Sequence, residues 1–395
     1  MRKAIVFILT VVLSIGLLAS GAFASDMEPD KNEPSSTPVA GLDVNAKSAV
    51  LMEAKTGKIL YQKNELDEAS PASVTKIMTL LLVAEALDNG IYKLEDKVTV
   101  SSYAASMGGS QVFLEEGEVL TVEELIKCTV IASANDAAVA LAELTAGSED
   151  AFVAKMNERA GRLGLTNTNF ENATGLDDTT TAHYSSAKDI AVMSRELLRH
   201  DIILKYSSMW QDTIRDGEFT LTNTNRLVRY YSGCNGLKTG STDKAGYCVS
   251  TTAKRGNLQL IAVVMGAESR DERNAAARAM LDMGFASYAL SEFPSRYLEN
   301  VPVIGGKINS VGIYSENFSA LVDKAKSRKI EEKYYIPESI SAPMEKGSVI
   351  GKIEYYLDGE LLGESNIVIE DDIEGVSFFE MLWTVIKNII LGKSS

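Results

Sequence analysis

Histidine and cysteine are scarce: the 395 residues include two of the first and three of the second. His183 and His200 stand without ligand-spaced partners, so the sequence offers no metal centre and no cofactor held by such ligands. A Ser-His-Asp triad is poorly served too, because neither histidine lies near a nucleophile-elbow motif. Cys128, Cys234 and Cys248 are too few for a disulfide framework, and buried free thiols are expected, with a Cys234 to Cys248 bridge as the alternative. Positive charge is also short, with Lys plus Arg at 39 against Asp plus Glu at 54 and a net charge of −15. A face that neutralises phosphates is therefore excluded, and nucleic acid with it. What is present is ordinary globular material, 45% hydrophobic and 24% charged, long enough for two domains.

The ends carry export and membrane signals. Arg2 and Lys3 precede the uncharged stretch Ala4 to Ser25, whose apolar centre, Ile5 to Leu18, leads to Ala22-Phe23-Ala24. This predicts a signal peptide over 1–24, with an uncleaved anchor as the alternative. Pro29, Pro34 and Pro38 among polar residues mark 25–40 as a flexible tether. Near the C-terminus, Ser377, Glu380, Thr384, Lys387 and Asn388 form a narrow polar stripe among Phe, Met, Leu, Trp and Ile. At about 1.5 Å per residue the segment falls short of the roughly 30 Å hydrocarbon core. The expectation is an amphipathic helix over 375–392 lying on the membrane surface, the alternative being a helix docked on the protein's own core. The chain is thus read as exported and attached to the outer face of the cytoplasmic membrane.

Between these ends, apolar runs Val50 to Glu53 and Ile59 to Gln62 flank a Gly-containing turn and predict a β-hairpin. A buried helix follows from Val74 to Leu87, stopped by Asp88-Asn89-Gly90, and further helical segments run to Leu198. Strand-like sequence returns at Gly246 to Thr252 and Gln259 to Gly266, then a helix from Arg273 to Met283. Strand pair, helices and strands again describe an α/β (α+β) domain over 41–290, a mixed sheet with a helical insertion. Short alternating runs after Ser291, with a hairpin turn at Asp358-Gly359, predict a separate small all-β domain over 291–372.

Ser73 opens the buried helix and Lys76 follows three residues later, on the same helical face. A lysine with a lowered pKa can take a serine proton without histidine, and a helix N-terminus offers N–H groups to a developing oxyanion. One Ser-x-x-Lys is weak, and another stands at Ser185 and Lys188. Order strengthens it. Ser133-Ala134-Asn135 lies between two helical segments, where a second hydroxyl can relay the proton and an amide can hold a carbonyl. Lys238-Thr239-Gly240 later begins strand-like sequence, where an edge strand can pair with a peptide and Lys238 adds charge. The decoys Lys55-Thr56-Gly57 and Ser315-Glu316-Asn317 are out of order for one site.

This triplet resembles that of penicillin-binding proteins and β-lactamases. Its surroundings, Pro71-Ala72-Ser73-Val74-Thr75-Lys76, Ser133-Ala134-Asn135-Asp136, His183-Tyr184-Ser185-Ser186 and Gly236-Leu237-Lys238-Thr239-Gly240, resemble the D-alanyl-D-alanine carboxypeptidases among low-molecular-mass penicillin-binding proteins. The resemblance implies a serine DD-peptidase fold and a penicillin-sensitive enzyme without cofactor that trims D-alanine from peptidoglycan stem peptides. It implies Ser73 as nucleophile, Lys76 as base and Ser133 as proton relay. Asn135 would hold the substrate amide, Lys238 would organise charge, and Thr239, with Gly240 beside it, would meet the terminal carboxylate. Backbone N–H groups of Ser73 and Ser241 would form the oxyanion hole, and Arg273 would bind carboxylate, Arg270 being its neighbour. A β-lactamase or a D,D-endopeptidase could use the same residues, and a non-catalytic wall-binding scaffold is the reading from another class.

Overall fold

The structure, a computed structural model, describes residues 42–391. The expected signal peptide and tether lie outside the described residues. The first hairpin joins β1 (Ser48–Glu53) to β2 (Ile59–Lys63). Strands β3 (Cys234–Thr242), β4 (Gly246–Arg255) and β5 (Leu258–Ala267) complete a five-stranded sheet of order β2-β1-β5-β4-β3. Every neighbouring pair in it is antiparallel. This corrects the expected mixed sheet: β3, β4 and β5 are joined by tight turns, and a turn of a few residues returns the chain antiparallel. A parallel pair, Val303–Ile304 with Ile340–Ser341, occurs instead in the C-terminal region.

The insertion between β2 and β3 supplies α1 (Lys76–Asp88), α2 (Val122–Ile131), α3 (Asn135–Ala146), α4 (Glu149–Arg162) and α5 (Ala187–Leu197). After β5 comes α6 (Arg270–Ser287). Alternation along β5 divides the core. Ile261, Val263 and Met265 face α1 and α5, whereas Leu260, Ala262 and Val264 pack with Ala277, Met280 and Leu281 of α6. The sheet is covered on both faces, which is why β5 reads as an unbroken apolar run. Ser148, Ser186 and Ser269 each accept an N–H bond at the start of α4, α5 and α6, and Thr121 with Glu124 forms a capping box for α2.

From Tyr288 onward the described chain is mainly β-strand, with its own core of Val311, Ile313, Ile353, Tyr355, Ile367 and Ile369. Strands Val349–Leu357 and Glu360–Ile369 pair across Asp358-Gly359, both at positive φ, as a two-residue hairpin requires. The last described element is α7 (Phe378–Leu391), capped by Ser377, whose hydroxyl accepts from the Glu380 N–H at 3.3 Å.

Candidate active site

Three segments meet at the N-terminal end of α1. Ser73 lies in a single 3-10 turn, Ala72–Thr75, that leads into α1, so Lys76 is carried one turn beyond it on the same side. Ser133 lies in the link between α2 and α3, and Asn135 begins α3. Lys238, Thr239 and Gly240 lie on β3, an edge of the sheet. Ala72 and Ser133 both have positive φ, 48° and 65°. Such conformations cost non-glycine residues energy and persist where surrounding structure imposes them. Here they turn Ser73 and the Ser133 hydroxyl toward β3. Gly240 is required by contact: a Cβ there would stand 2.7 Å from the Ser73 backbone nitrogen.

Lys76 is wholly buried, and its Nζ lies 3.0 Å from Ser73 Oγ, 2.5 Å from Asn135 Oδ1 and 2.8 Å from the Thr174 carbonyl. The Asn135 oxygen and the Thr174 carbonyl can only accept. A neutral amine has two N–H groups for them and one lone pair, which is left for the Ser73 hydroxyl. Neutrality is favoured: burial first and the nearby Lys238 second hold the Lys76 pKa well below its ordinary value, against the pull of Asp136. Asn135 is oriented from its other end, donating from Nδ2 to the Gly108 carbonyl at 2.7 Å.

Lys238 is also buried and donates to Ser133 Oγ at 2.7 Å and to the Thr239 carbonyl at 2.9 Å. Its pKa is lowered to about 7, by burial and then by Arg273. Arg273 is itself buried, donating to the Cys248 carbonyl at 3.4 Å and to Asn274 Oδ1. A Lys and an Arg buried together make a place for an anion. Ser73, Ser133, Thr239, Gly240, Ser241 and Arg273 all line one open cleft of about 560 Å³.

Residues 32–269 match the family model described as D-alanyl-D-alanine carboxypeptidase, and residues 295–375 match the C-terminal domain of penicillin-binding protein 5. The chain is 46% identical to the D-alanyl-D-alanine carboxypeptidase DacF of Bacillus subtilis over 355 residues, 87% of this chain and 91% of that protein. It belongs to the D-alanyl-D-alanine carboxypeptidase family. Among solved structures it is similar to penicillin binding protein 5 of Haemophilus influenzae, at 32% identity and TM-score 0.74, covering 85% of this chain and 99% of that one. The ampicillin-bound penicillin-binding protein D2 of Listeria monocytogenes is 31% identical with TM-score 0.57, covering 62% of this chain and 99% of its own. As a member of this family the protein is a serine peptidase with a DD-peptidase fold and an added β-domain.

In this carboxypeptidase the structure brings together every candidate named from sequence: Ser73, Lys76, Ser133, Asn135, Lys238, Thr239, Gly240, Ser241 and Arg273. Arg270 reaches the same cleft but from an exposed position. The decoys lie apart. Lys55 and Thr56 donate their N–H groups to Glu53 in the β1 to β2 turn, and Ser185 bonds Thr168. His183 is structural: its Nδ1 accepts from the Glu171 N–H at 3.0 Å, which leaves Nε2 to meet Thr75 Oγ1 at 2.8 Å. Cys234 faces Ala253 and Cys248 faces Gly240 in the β3 to β4 ladder, several residues apart and beyond disulfide reach, and both thiols are free.

Sequence reasoning missed the carbonyls of Gly108 and Thr174, which no side chain announces. It also gave no role to Asp136. That buried carboxylate accepts from the N–H groups of Val112 and Leu114, at 3.0 and 3.1 Å, and of Ala137, pinning the loop that carries Gly108. Its place directly after Asn135 was the available signal.

Proposed function

We propose that Ser73 attacks the carbonyl between the two D-alanines of a peptidoglycan stem peptide. The Ser73 proton passes to Lys76, and backbone N–H groups of Ser73 and Ser241 receive the oxyanion. The C–N bond breaks as a proton reaches the departing amine through Lys76, Ser133 and Lys238. Water then hydrolyses the ester on Ser73, leaving a peptide shorter by one D-alanine. Asn135 holds the substrate amide, and Lys238, Thr239 and Arg273 receive the terminal carboxylate. β-Lactams mimic the same amide and acylate Ser73. The observation that carries this reading is the set of partners of Lys76, two acceptors that cannot donate and one serine hydroxyl.

The surface position belongs to the same proposal. In α7, Phe378, Phe379 and Trp383 are at least two-thirds exposed, at 73%, 80% and 69%, so they do not sit in the protein's own core. The helix has 14 residues, about 21 Å at 1.5 Å per residue, and none of the described helices is long and apolar enough to cross a membrane. We read α7 as lying on the outer face of the cytoplasmic membrane, holding an exported enzyme there. The catalytic reading is tested by D-alanine release from a linear stem peptide ending in D-Ala-D-Ala. Wild type releases it, and Ser73→Ala and Lys76→Met lose at least about a thousandfold in kcat/KM; a Ser73→Ala variant that retained activity would refute the assignment.

A further inference from the structure

The N–H groups of Ser73 and Ser241 belong to segments far apart in the chain, the turn before α1 and the end of β3. Their separation must nevertheless be held to a fraction of an ångström if both are to meet one oxyanion. Contact sets the near limit. A Cβ on Gly240 would stand 2.7 Å from the Ser73 nitrogen and 3.0 Å from the Pro71 carbonyl oxygen, so β3 can come no closer. Repulsion cannot set the far limit, and an attractive tie between the two segments has to do so.

Asp177 supplies such a tie. Its Oδ2 accepts from Thr242 Oγ1 at 2.5 Å and from Ser70 Oγ at 3.3 Å. Thr242 directly follows Ser241, and Ser70 stands three residues before Ser73. Thr242 Oγ1 also accepts the Ala245 N–H at 3.0 Å, which leaves its own proton for Asp177. Asp177 is in turn held in place by the run that leads to it. Asn172 Oδ1 accepts from the Thr174 and Gly175 N–H groups at 3.1 and 2.7 Å, and its Nδ2 donates to the Leu176 carbonyl at 2.7 Å. Thr79 of α1 donates to the Ala173 carbonyl at 2.6 Å, and the Ala173 N–H donates to Glu149 at 2.8 Å. Gly175, at φ +83°, is seated so close that a Cβ there would stand 1.8 Å from the Ala72 carbonyl oxygen. The run 172–177 is thus a bracket fixed to α1 and to the Ser73 turn, with Asp177 at its outer end.

We propose that Asp177 is a positioning residue that sets the span of the oxyanion hole, holding the end of β3 to the Ser73 turn through Thr242 and Ser70; this rests on the roles given above to Ser73 and Ser241. The bracket that presents the Thr174 carbonyl to Lys76 also presents Asp177 to β3, so the base and the oxyanion site are located from one piece of chain. Without the carboxylate, the Thr242 end of β3 relaxes away from the turn and carries the Ser241 N–H off the place where the oxyanion develops. Lys238, Thr239 and Arg273 remain to receive the carboxylate of the bound molecule. Transition-state stabilisation is therefore lost while ground-state binding is kept.

The test follows acylation of the full chain by intact mass over a series of benzylpenicillin concentrations. Asp177→Ala and Thr242→Val should each lower the limiting acylation rate about tenfold and leave the half-saturating drug concentration within about twofold of wild type. Both should still reach a full complement of adduct, which shows that the site is folded. Asp177→Asn and Thr242→Ser keep an acceptor oxygen and a hydroxyl, and should stay within about threefold of the wild-type rate. The double variant Asp177→Ala with Thr242→Val should be no slower than either single one, because both remove the same tie. An Asp177→Ala enzyme that acylates at the wild-type rate would overturn the inference alone. So would a loss confined to the half-saturating concentration, or a double variant slowed by the product of the single effects. If Asp177→Ala does not fold, Thr242→Val against Thr242→Ser decides by the same measure. A folded wild-type chain that forms no adduct would overturn the catalytic roles themselves.

Discussion

At Lys76 and Lys238, two buried amines are made to differ by their partners. Lys76 has acceptors on two sides and a hydroxyl on the third, and Lys238 has Arg273 beside it and Ser133 in front. With its pKa lowered to about 7, Lys238 loses its charge as pH rises through neutrality in the free enzyme. On the proposed role of that charge in receiving the substrate carboxylate, kcat/KM is expected to fall along an alkaline limb near pH 7. The limb in kcat should lie higher, because a bound carboxylate restores the charge. Lys238→Arg keeps the charge and should move the kcat/KM limb beyond pH 9, measured against D-Ala-D-Ala peptide. A wild-type profile flat from pH 7 to 9 would contradict this. The i to i+3 spacing made Ser73 and Lys76 legible in the sequence. The positive φ of Ala72 and Ser133 was not, because neither residue type signals it.

At the scale of elements, helix starts were legible where a cap stood before an apolar run, as at Ser148 and Ser186. The α6 start was missed by three residues. Its cap, Ser269, accepts from the Glu272 N–H at 3.2 Å, and the polar first turn hid the helix. The hairpin Gln211–Ile214 with Phe219–Thr222 was missed as well, since its strands are short, largely polar and half exposed. Yet it frames the cleft wall at Trp210 and Thr222. His183 links the turn before α1 to the 171–183 segment, and its pKa is lowered to about 4, chiefly by burial. Between pH 6.5 and 4 the unfolded chain therefore binds a proton that the folded chain refuses. Its contribution is complete above pH 6.5 and is lost as pH falls toward 4, on the order of 3 kcal/mol. In urea titrations the stability gap between wild type and His183→Gln should narrow over that window. A gap constant from pH 7 to 4.5 would count against it.

At the scale of the molecule, the order of segments along the chain was readable, and so was the change of texture near Ser291. The strand directions in the central sheet were not, because apolar runs buried on both faces carry no sign of direction. The β-domain ends in α7, whose aromatic residues are exposed while Ser377 and Glu380 fix its first turn. If α7 is the membrane-surface element, the full chain should co-sediment with anionic phospholipid vesicles. Replacing Phe378, Phe379 and Trp383 by Ser should release most of it into the supernatant without changing D-alanine release from soluble peptide. Equal sedimentation of the two proteins would exclude α7 as the anchor.

The central claim is that Ser73, activated by Lys76, forms an acyl-enzyme. The most direct test is the intact mass of the protein followed over time after mixing with benzylpenicillin, with Ser73→Ala in parallel. A penicilloyl adduct that persists for many minutes and is absent in Ser73→Ala is the predicted result. Rapid consumption of the drug with no lasting adduct would mark a β-lactamase, and folded protein that neither binds nor consumes it would contradict the catalytic account.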